Sequence, residues 1–322
     1  MSTSMSGGEI HPEYQVALTQ LLNVFPGGFN GPETIGERRT LINGALALNP
    51  VNENVTREDR FIPVEGAPDV RIRIYRPKKA AYALPQPAIF TIHGGGMVTG
   101  NIEADDANAA GLCEQSGALT IAIDYRLAPE HPFPAAINDC YAVANWIFEN
   151  VAELDVDPTR IALHGGSAGG GLAIGLALMM RDRGNLRFCF LMAIYPMIDD
   201  RHITASSKAI TNIGIWDRKA SLESWAWYLG DVHGRDDISP YAAPTRATNL
   251  EGLPPTFIDV GTHDLFLDED REFAERLKAA GVPVEFHINE GAYHAAELFV
   301  RDAAPSQLIW ARRFAALKRA LD

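Results

Sequence analysis

Cysteine is scarce in this chain: Cys113, Cys140 and Cys189 are the three in 322 residues. They are odd in number, widely spaced and form no CxxC pair. That excludes a disulfide framework or a paired-thiolate zinc site and leaves small apolar residues of a reducing compartment. Basic residues are also in deficit. Lys plus Arg is 28 and Asp plus Glu is 41, so the net charge is 28 − 41 = −13. A phosphate-binding or anionic-membrane surface needs clustered positive charge, so neither nucleic acid nor membrane is an expected partner. Long apolar runs are missing as well. The longest, Leu172 to Met180, is broken by Gly175 and falls far short of the ~20 residues a bilayer span requires. The opening stretch MSTSMSGGEIHPEYQ has no basic region and no apolar core, so it does not read as a signal peptide. A soluble, cytoplasmic protein is the expectation. No His, Asp or Glu group has metal-ligand spacing, and neither metal nor organic cofactor is expected.

What the chain does have is alternation. Short apolar runs, Val70–Tyr75, Ala88–His93, Leu119–Asp124, Arg160–His164, Cys189–Tyr195, Thr256–Val260 and Val284–Ile288, read as strands. Several are continuously apolar (AIFTI, LTIAI, FLMAI), as befits strands covered on both faces. Helical patterns stand between or after them at Ala104–Ser116, Pro134–Glu149, Ala168–Arg183, Glu269–Ala280 and Pro305–Leu321. Strand–helix alternation implies right-handed crossovers and an α/β fold with a mainly parallel central sheet. Two regions depart from it. Residues 1–55 carry an amphipathic pattern from Tyr14 to Leu22, a Gly/Pro stretch over Pro26–Pro32 and a second helix near Thr34–Leu46. Residues 197–250 form an insertion rich in aromatics (Trp216, Trp225, Trp227, Tyr228). Both are expected to cap a catalytic domain made of residues 56–196 and 251–322.

The most informative local pattern is Ile161-Ala-Leu-His-Gly-Gly-Ser167-Ala-Gly-Gly-Gly171, an apolar strand, then G-x-S-x-G, then a helix. A serine hydroxyl is a weak nucleophile unless it is held clear of the backbone and beside a base. A tight strand-to-helix turn with small flanking residues supplies the exposure, and the helix N-terminus adds N–H donors. A second pattern, His93-Gly94-Gly95-Gly96, follows the AIFTI strand. Consecutive glycines leave backbone N–H groups open to an oxyanion. The continuation Met97-Val-Thr-Gly100 lacks the glycine spacing of a dinucleotide loop.

A serine nucleophile needs a base and a group that orients it, and later strand ends supply candidates. Thr256–Val260 leads into Gly261-Thr-His263-Asp264, and Val284–Ile288 leads into Asn289-Glu-Gly-Ala-Tyr-His294. His294 is read as the base and Asp264 as its partner. His263, beside Asp264, is the rival base, and Asp268 is the rival acid, although its place before a helical pattern suits an N-cap.

HGGG, the block Asp124-Tyr-Arg-Leu-Ala-Pro-Glu-His-Pro-Phe-Pro-Ala-Ala136, GGSAGG, DLFLDE and the late histidine together resemble the hormone-sensitive-lipase group of α/β-hydrolases. The resemblance runs from about Ile72 to the C-terminus. It implies a carboxylic-ester hydrolase with a helical cap, with Ser167 as nucleophile, Asp264 as acid and His294 as base. The oxyanion donors it implies are the N–H groups of Gly95, Gly96 and Ala168, with Gly94 as a further candidate. Met97, Gly166, Trp216 and Trp225 are expected at the substrate, a small-molecule ester of short to medium acyl chain. The resemblance is compatible with a homodimer through the last strand and helix. Two positions depart from the group. Gly166 stands where Asp or Thr is usual before the serine, and His294-Ala-Ala replaces His-Gly-Phe. A lactonase or amidase with the same three residues is the alternative reading. A non-catalytic binding protein, like the plant gibberellin receptors that resemble this group but lack the histidine, fits less well.

Overall fold

The computed structural model of the chain describes residues 9–24, 27–47, 51–184, 187–211 and 216–322. The first eight residues of the opening stretch, Pro26 of the Gly/Pro stretch and residues 212–215 of the insertion lie outside them. Eight strands form one sheet: β1 (Val55–Val64), β2 (Ala67–Pro77), β3 (Gln86–Ile92), β4 (Leu119–Asp124), β5 (Val156–Gly166), β6 (Phe190–Ile194), β7 (Thr256–His263) and β8 (Val284–Tyr293). Their order is β1-β2-β4-β3-β5-β6-β7-β8. Only β2 runs antiparallel to its neighbours β1 and β4, and the pairs from β4 to β8 are parallel. The α/β-hydrolase fold expected from the sequence is the one observed.

The helices are α1 (Pro12–Val24), α2 (Ile35–Leu46), α3 (Ile102–Ser116), α4 (Ala135–Glu149), α5 (Val151–Leu154), α6 (Ala168–Arg183), α7 (Ala205–Ala209), α8 (Arg218–Leu229), α9 (Leu267–Ala279), α10 (Ala296–Phe299) and α11 (Ala304–Leu321). Strand periodicity decides which helices meet which face. In β3, Phe90 and Ile92 point into a core shared with α4, α6 and α9, whereas Ile89 points the other way, toward Leu112 of α3 and Leu317 of α11. Helix α6 is buried along thirteen consecutive residues, Ala168 to Met180, which explains its lack of a polar face. Helix α3 begins at Asn101, whose side chain accepts the Ala104 N–H at 2.8 Å, and ends at left-handed Gly117. Among the described residues no helix is long and apolar enough to cross a membrane. Cys113, Cys140 and Cys189 are free thiols.

The two irregular regions converge on the sheet's C-terminal edge. The Tyr14 hydroxyl of α1 bonds Ser306 at 3.0 Å, and its ring meets Tyr293 edge-on at 5.9 Å. Arg39 of α2 grips Glu130 through two bonds of 2.7 Å and also donates to the carbonyls of Val98 and Ala128. Phe29, between α1 and α2, packs its ring on Trp216 and Trp227 of the insertion. The strand β1 is absent from the sequence expectation. Its residues VTREDRFIPV carry four consecutive charges, Arg57 to Arg60, and contain Pro63, a pattern that marks an edge strand and hides the pairing.

Candidate active site

Ser167 sits between the end of β5 and the start of α6 with φ 55° and ψ −121°, a conformation an L-residue adopts only under constraint. Its N–H donates to the Ile194 carbonyl at 2.8 Å, and its own carbonyl accepts the N–H groups of Met197 and Gly171, both at 3.0 Å. The flanking glycines are sterically required. A Cβ on Gly165 would lie 2.1 Å from the Gly169 carbonyl oxygen, and one on Gly169 would lie 2.0 Å from that of Ile92.

The loops after β7 and β8 bring two more side chains to this turn. His294 Nε2 lies 3.0 Å from Ser167 Oγ, and His294 Nδ1 lies 2.7 Å from Asp264 Oδ2. Asp264 Oδ1 accepts the Phe266 N–H at 3.1 Å, which fixes the carboxylate plane. All three are nearly withdrawn from solvent, with Ser167 7%, Asp264 1% and His294 3% exposed. Phe266 meets the imidazole edge-on at 5.2 Å and Tyr195 does so at 4.8 Å, so the ring has little room to turn. A hydroxyl, an imidazole and a carboxylate in this order can move a proton off the hydroxyl while the carboxylate stabilises the cation that forms.

The rivals fall elsewhere. His263 Nδ1 pairs with Thr262 Oγ1 at 3.2 Å. Asp268 is not an N-cap but lies in the first turn of α9. There its carboxylate accepts the Ser206 N–H at 2.8 Å and pairs with Arg271 at 3.3 Å. His93 and His164 border the cavity onto which Ser167 opens. Burial pushes the His164 imidazole down to about 3, with Arg313 adding to it, and burial lowers His93 too.

Gly95 and Gly96 take φ 109° and 64° and turn the chain beneath the serine. Their N–H groups make no hydrogen bond among the described residues. The Ala168 N–H opens α6, where no intrahelical acceptor reaches it. Gly94 backs the serine, since a Cβ there would touch Ser167 Cβ at 3.4 Å. A Cβ on Gly96 would fall 2.1 Å from Cη2 of Trp216, so the insertion's Trp216 closes over this loop.

A cavity of about 450 Å³ opens on Ser167 and His294, and its wall includes Gly166 and Trp216 but not Met97 or Trp225. For those last two the expectation is corrected. Met97 is wholly buried in the main core, and Trp225 is wholly buried against Tyr228, because α8 turns that face inward. Gly166 is not sterically demanded. The nearest atom to a Cβ there is Tyr195 Cε2 at 3.8 Å, so glycine simply leaves the cavity wider than a larger residue would. Ala295, in the position of the group's usual glycine, is left-handed at φ 60°, which costs alanine roughly 1 kcal/mol.

One functional cluster escaped the sequence reading. Arg313 of α11 donates to both oxygens of Asp259 at 2.9 Å and to Glu297 at 2.8 Å, and the Tyr195 hydroxyl donates to the same Glu297 oxygen at 2.8 Å. Burial opposes the charge on Arg313, but Asp259 and then Glu297 outweigh it. The cluster fastens Tyr195, and with it one wall of the His294 site, to the last helix.

A sheet of this order with a serine at its central strand-to-helix turn defines an α/β hydrolase. The family described as alpha/beta hydrolase fold matches residues 89–298, and the chain belongs to it, in the hormone-sensitive-lipase-like group. Carboxylesterase NlhH of Mycobacterium tuberculosis is 33% identical over 312 residues, 96% of this chain and 97% of that protein. Esterase LipI of the same organism is 34% identical over 249 residues, 77% of each. A solved bacterial heroin esterase superposes with a TM-score of 0.90 at 38% identity, covering 97% of this chain and 98% of its own. The chain is a carboxylic-ester hydrolase.

Proposed function

We propose that the protein hydrolyses esters of short to medium acyl chain through an acyl-enzyme formed on Ser167. The observation that carries this is His294, whose two ring nitrogens reach Ser167 Oγ at 3.0 Å and Asp264 Oδ2 at 2.7 Å. His294 takes the Ser167 proton as Oγ attacks the ester carbonyl, and the N–H groups of Gly95, Gly96 and Ala168 receive the oxyanion. The alcohol departs with the proton from His294. Water then repeats the sequence, its proton passing to His294 and back to Ser167 Oγ as the acid is released. Asp264 holds the imidazole tautomer and stabilises its cation. In this reading segments 1–55 and 197–250 form the cap, and a cavity of about 450 Å³ suits acyl and alcohol groups of modest size.

Ser167→Ala should reduce ester turnover at least ~10⁴-fold with the fold unchanged, and a fluorophosphonate should label Ser167 alone. A screen over p-nitrophenyl esters of increasing chain length, with lactones and amides alongside, tests the substrate range. Retained activity in Ser167→Ala, or labelling at another residue, would overturn the assignment.

A further inference from the structure

We propose that the ester cavity contains a subsite for a cationic substrate group, built on Asp105, so that the enzyme favours esters bearing a protonated amine. The inference rests on the reading of this cavity as the ester site. Asp105, in the first turn of α3, is the one carboxylate on the described cavity wall. Its Oδ1 accepts from Asn108 Nδ2 at 3.2 Å, while its Oδ2 is buried with no hydrogen-bond partner. Its sequence neighbours differ sharply. Glu103 is held by Arg71 and Asp106 by Arg57, each at 2.7 Å. Asp270 is likewise unpartnered, but it stands in the core and not on the cavity wall.

A buried carboxylate oxygen without a donor is costly, and Asp105 belongs to the cavity wall. Apolar Ile42, Ala45 and Leu46 of α2 also line that cavity, so a group entering there is shielded from water. An ammonium N–H would supply the missing donor as a charge-assisted bond, the stronger kind. Burial pushes the Asp105 carboxyl up to about 7, against the hydrogen bond from Asn108 and the attraction of Arg301. Arg301 forms no ion pair with Asp105 among the described contacts. The other charged or titratable groups around it are Asp106 on the same helix, Tyr75 of β2, Tyr125 just after β4 and, on the cavity wall, Arg38 of α2, His93, His164, Tyr195, His294 and Arg313.

The test compares ω-(dimethylamino)alkyl acetates with alkyl acetates of equal length ending in an isopropyl group, the neutral isostere of the dimethylammonium. Wild type should favour the cation by at least about tenfold in kcat/KM at one or more spacer lengths. Asp105→Asn should bring the ratio to about one with the fold unchanged by circular dichroism. Asp105→Ser is the second variant should the amide disturb folding. The ratio cancels the titration of the common base, and it should fall as the pH is lowered through about 7, where Asp105 gains its proton while the amine stays charged. A ratio of one or less at every spacer length, or a preference unchanged in both variants, overturns the subsite. Hydrolysis of the neutral ester that survives Ser167→Ala would instead overturn the ester site itself.

Discussion

Ser167 is held in a left-handed conformation worth roughly 1–3 kcal/mol of strain, and three backbone hydrogen bonds keep it there. Strain of this kind serves a hydroxyl only if a base stands opposite, so the choice between two histidines is decisive. His294→Ala should lower kcat/KM about as far as the serine change, at least ~10⁴-fold, since members of one catalytic unit are not additive. His263→Ala should cost less than about tenfold, because His263 bonds its neighbour Thr262 instead. Reversed results would give the base role to His263. Ser167, Asp264 and His294 were legible in the sequence because each closes a strand and sits in a short motif. Asp259, Glu297 and Arg313 were not. They lie on three separate elements, and only the folded sheet brings their charges together. Asp105 was equally hidden, since nothing in Glu103-Ala-Asp105-Asp106 says which acid lacks a partner.

At the scale of elements, the parallel strands announced themselves by their apolar runs, while β1 did not, being an edge strand with a run of four charges. The aromatics of the insertion were legible in the sequence, but the direction of each side chain was not. Helix α8 buries Trp225 completely, and Trp216, just ahead of it, leans over Gly96 with its ring 6.5 Å from that of His294. Two tryptophans nine positions apart therefore do different work. Trp216→Ala should change the ratio of kcat/KM between long and short acyl esters by about tenfold or more, as expected when a pocket wall is removed. Trp225→Ala should leave that ratio unchanged and lower unfolding stability by about 3–5 kcal/mol. Chain-length profiles and denaturant melts on both variants separate the two roles. Parallel shifts in both measurements would merge them.

Taken as a whole, the molecule buries acids that it does not pair. Glu269 and Asp270 are pushed well above the usual carboxylate range by burial first, and then by Asp199 near the former and by Glu269 and Asp264 near the latter. In the unfolded chain such carboxyls titrate near ~4, so the folded state keeps protons that the unfolded state has lost. Below the unfolded value neither state is favoured. As the pH rises from there toward the folded value, folding takes up protons and stability declines. Asp270→Asn cannot ionise and should flatten this slope. Its melting temperature should gain on wild type progressively as the pH rises above the unfolded value near ~4. A difference that stays constant as the pH rises would refute the account.

The attachment of α1 has a kinetic consequence. Tyr14 and Leu18 belong to a small apolar cluster with Tyr293 and Ala296, separate from the main core, while Leu21 of the same helix lines the cavity. One short helix therefore braces the loop that carries His294 and also walls the pocket. Such satellite clusters open at lower free energy than the sheet. Heating should thus silence the enzyme before it melts: the half-life of activity should be shorter than that of sheet circular dichroism, and early cleavage by a dilute protease should fall near α1. Coincident decay of both signals would mean that this helix is as firmly seated as the sheet it covers.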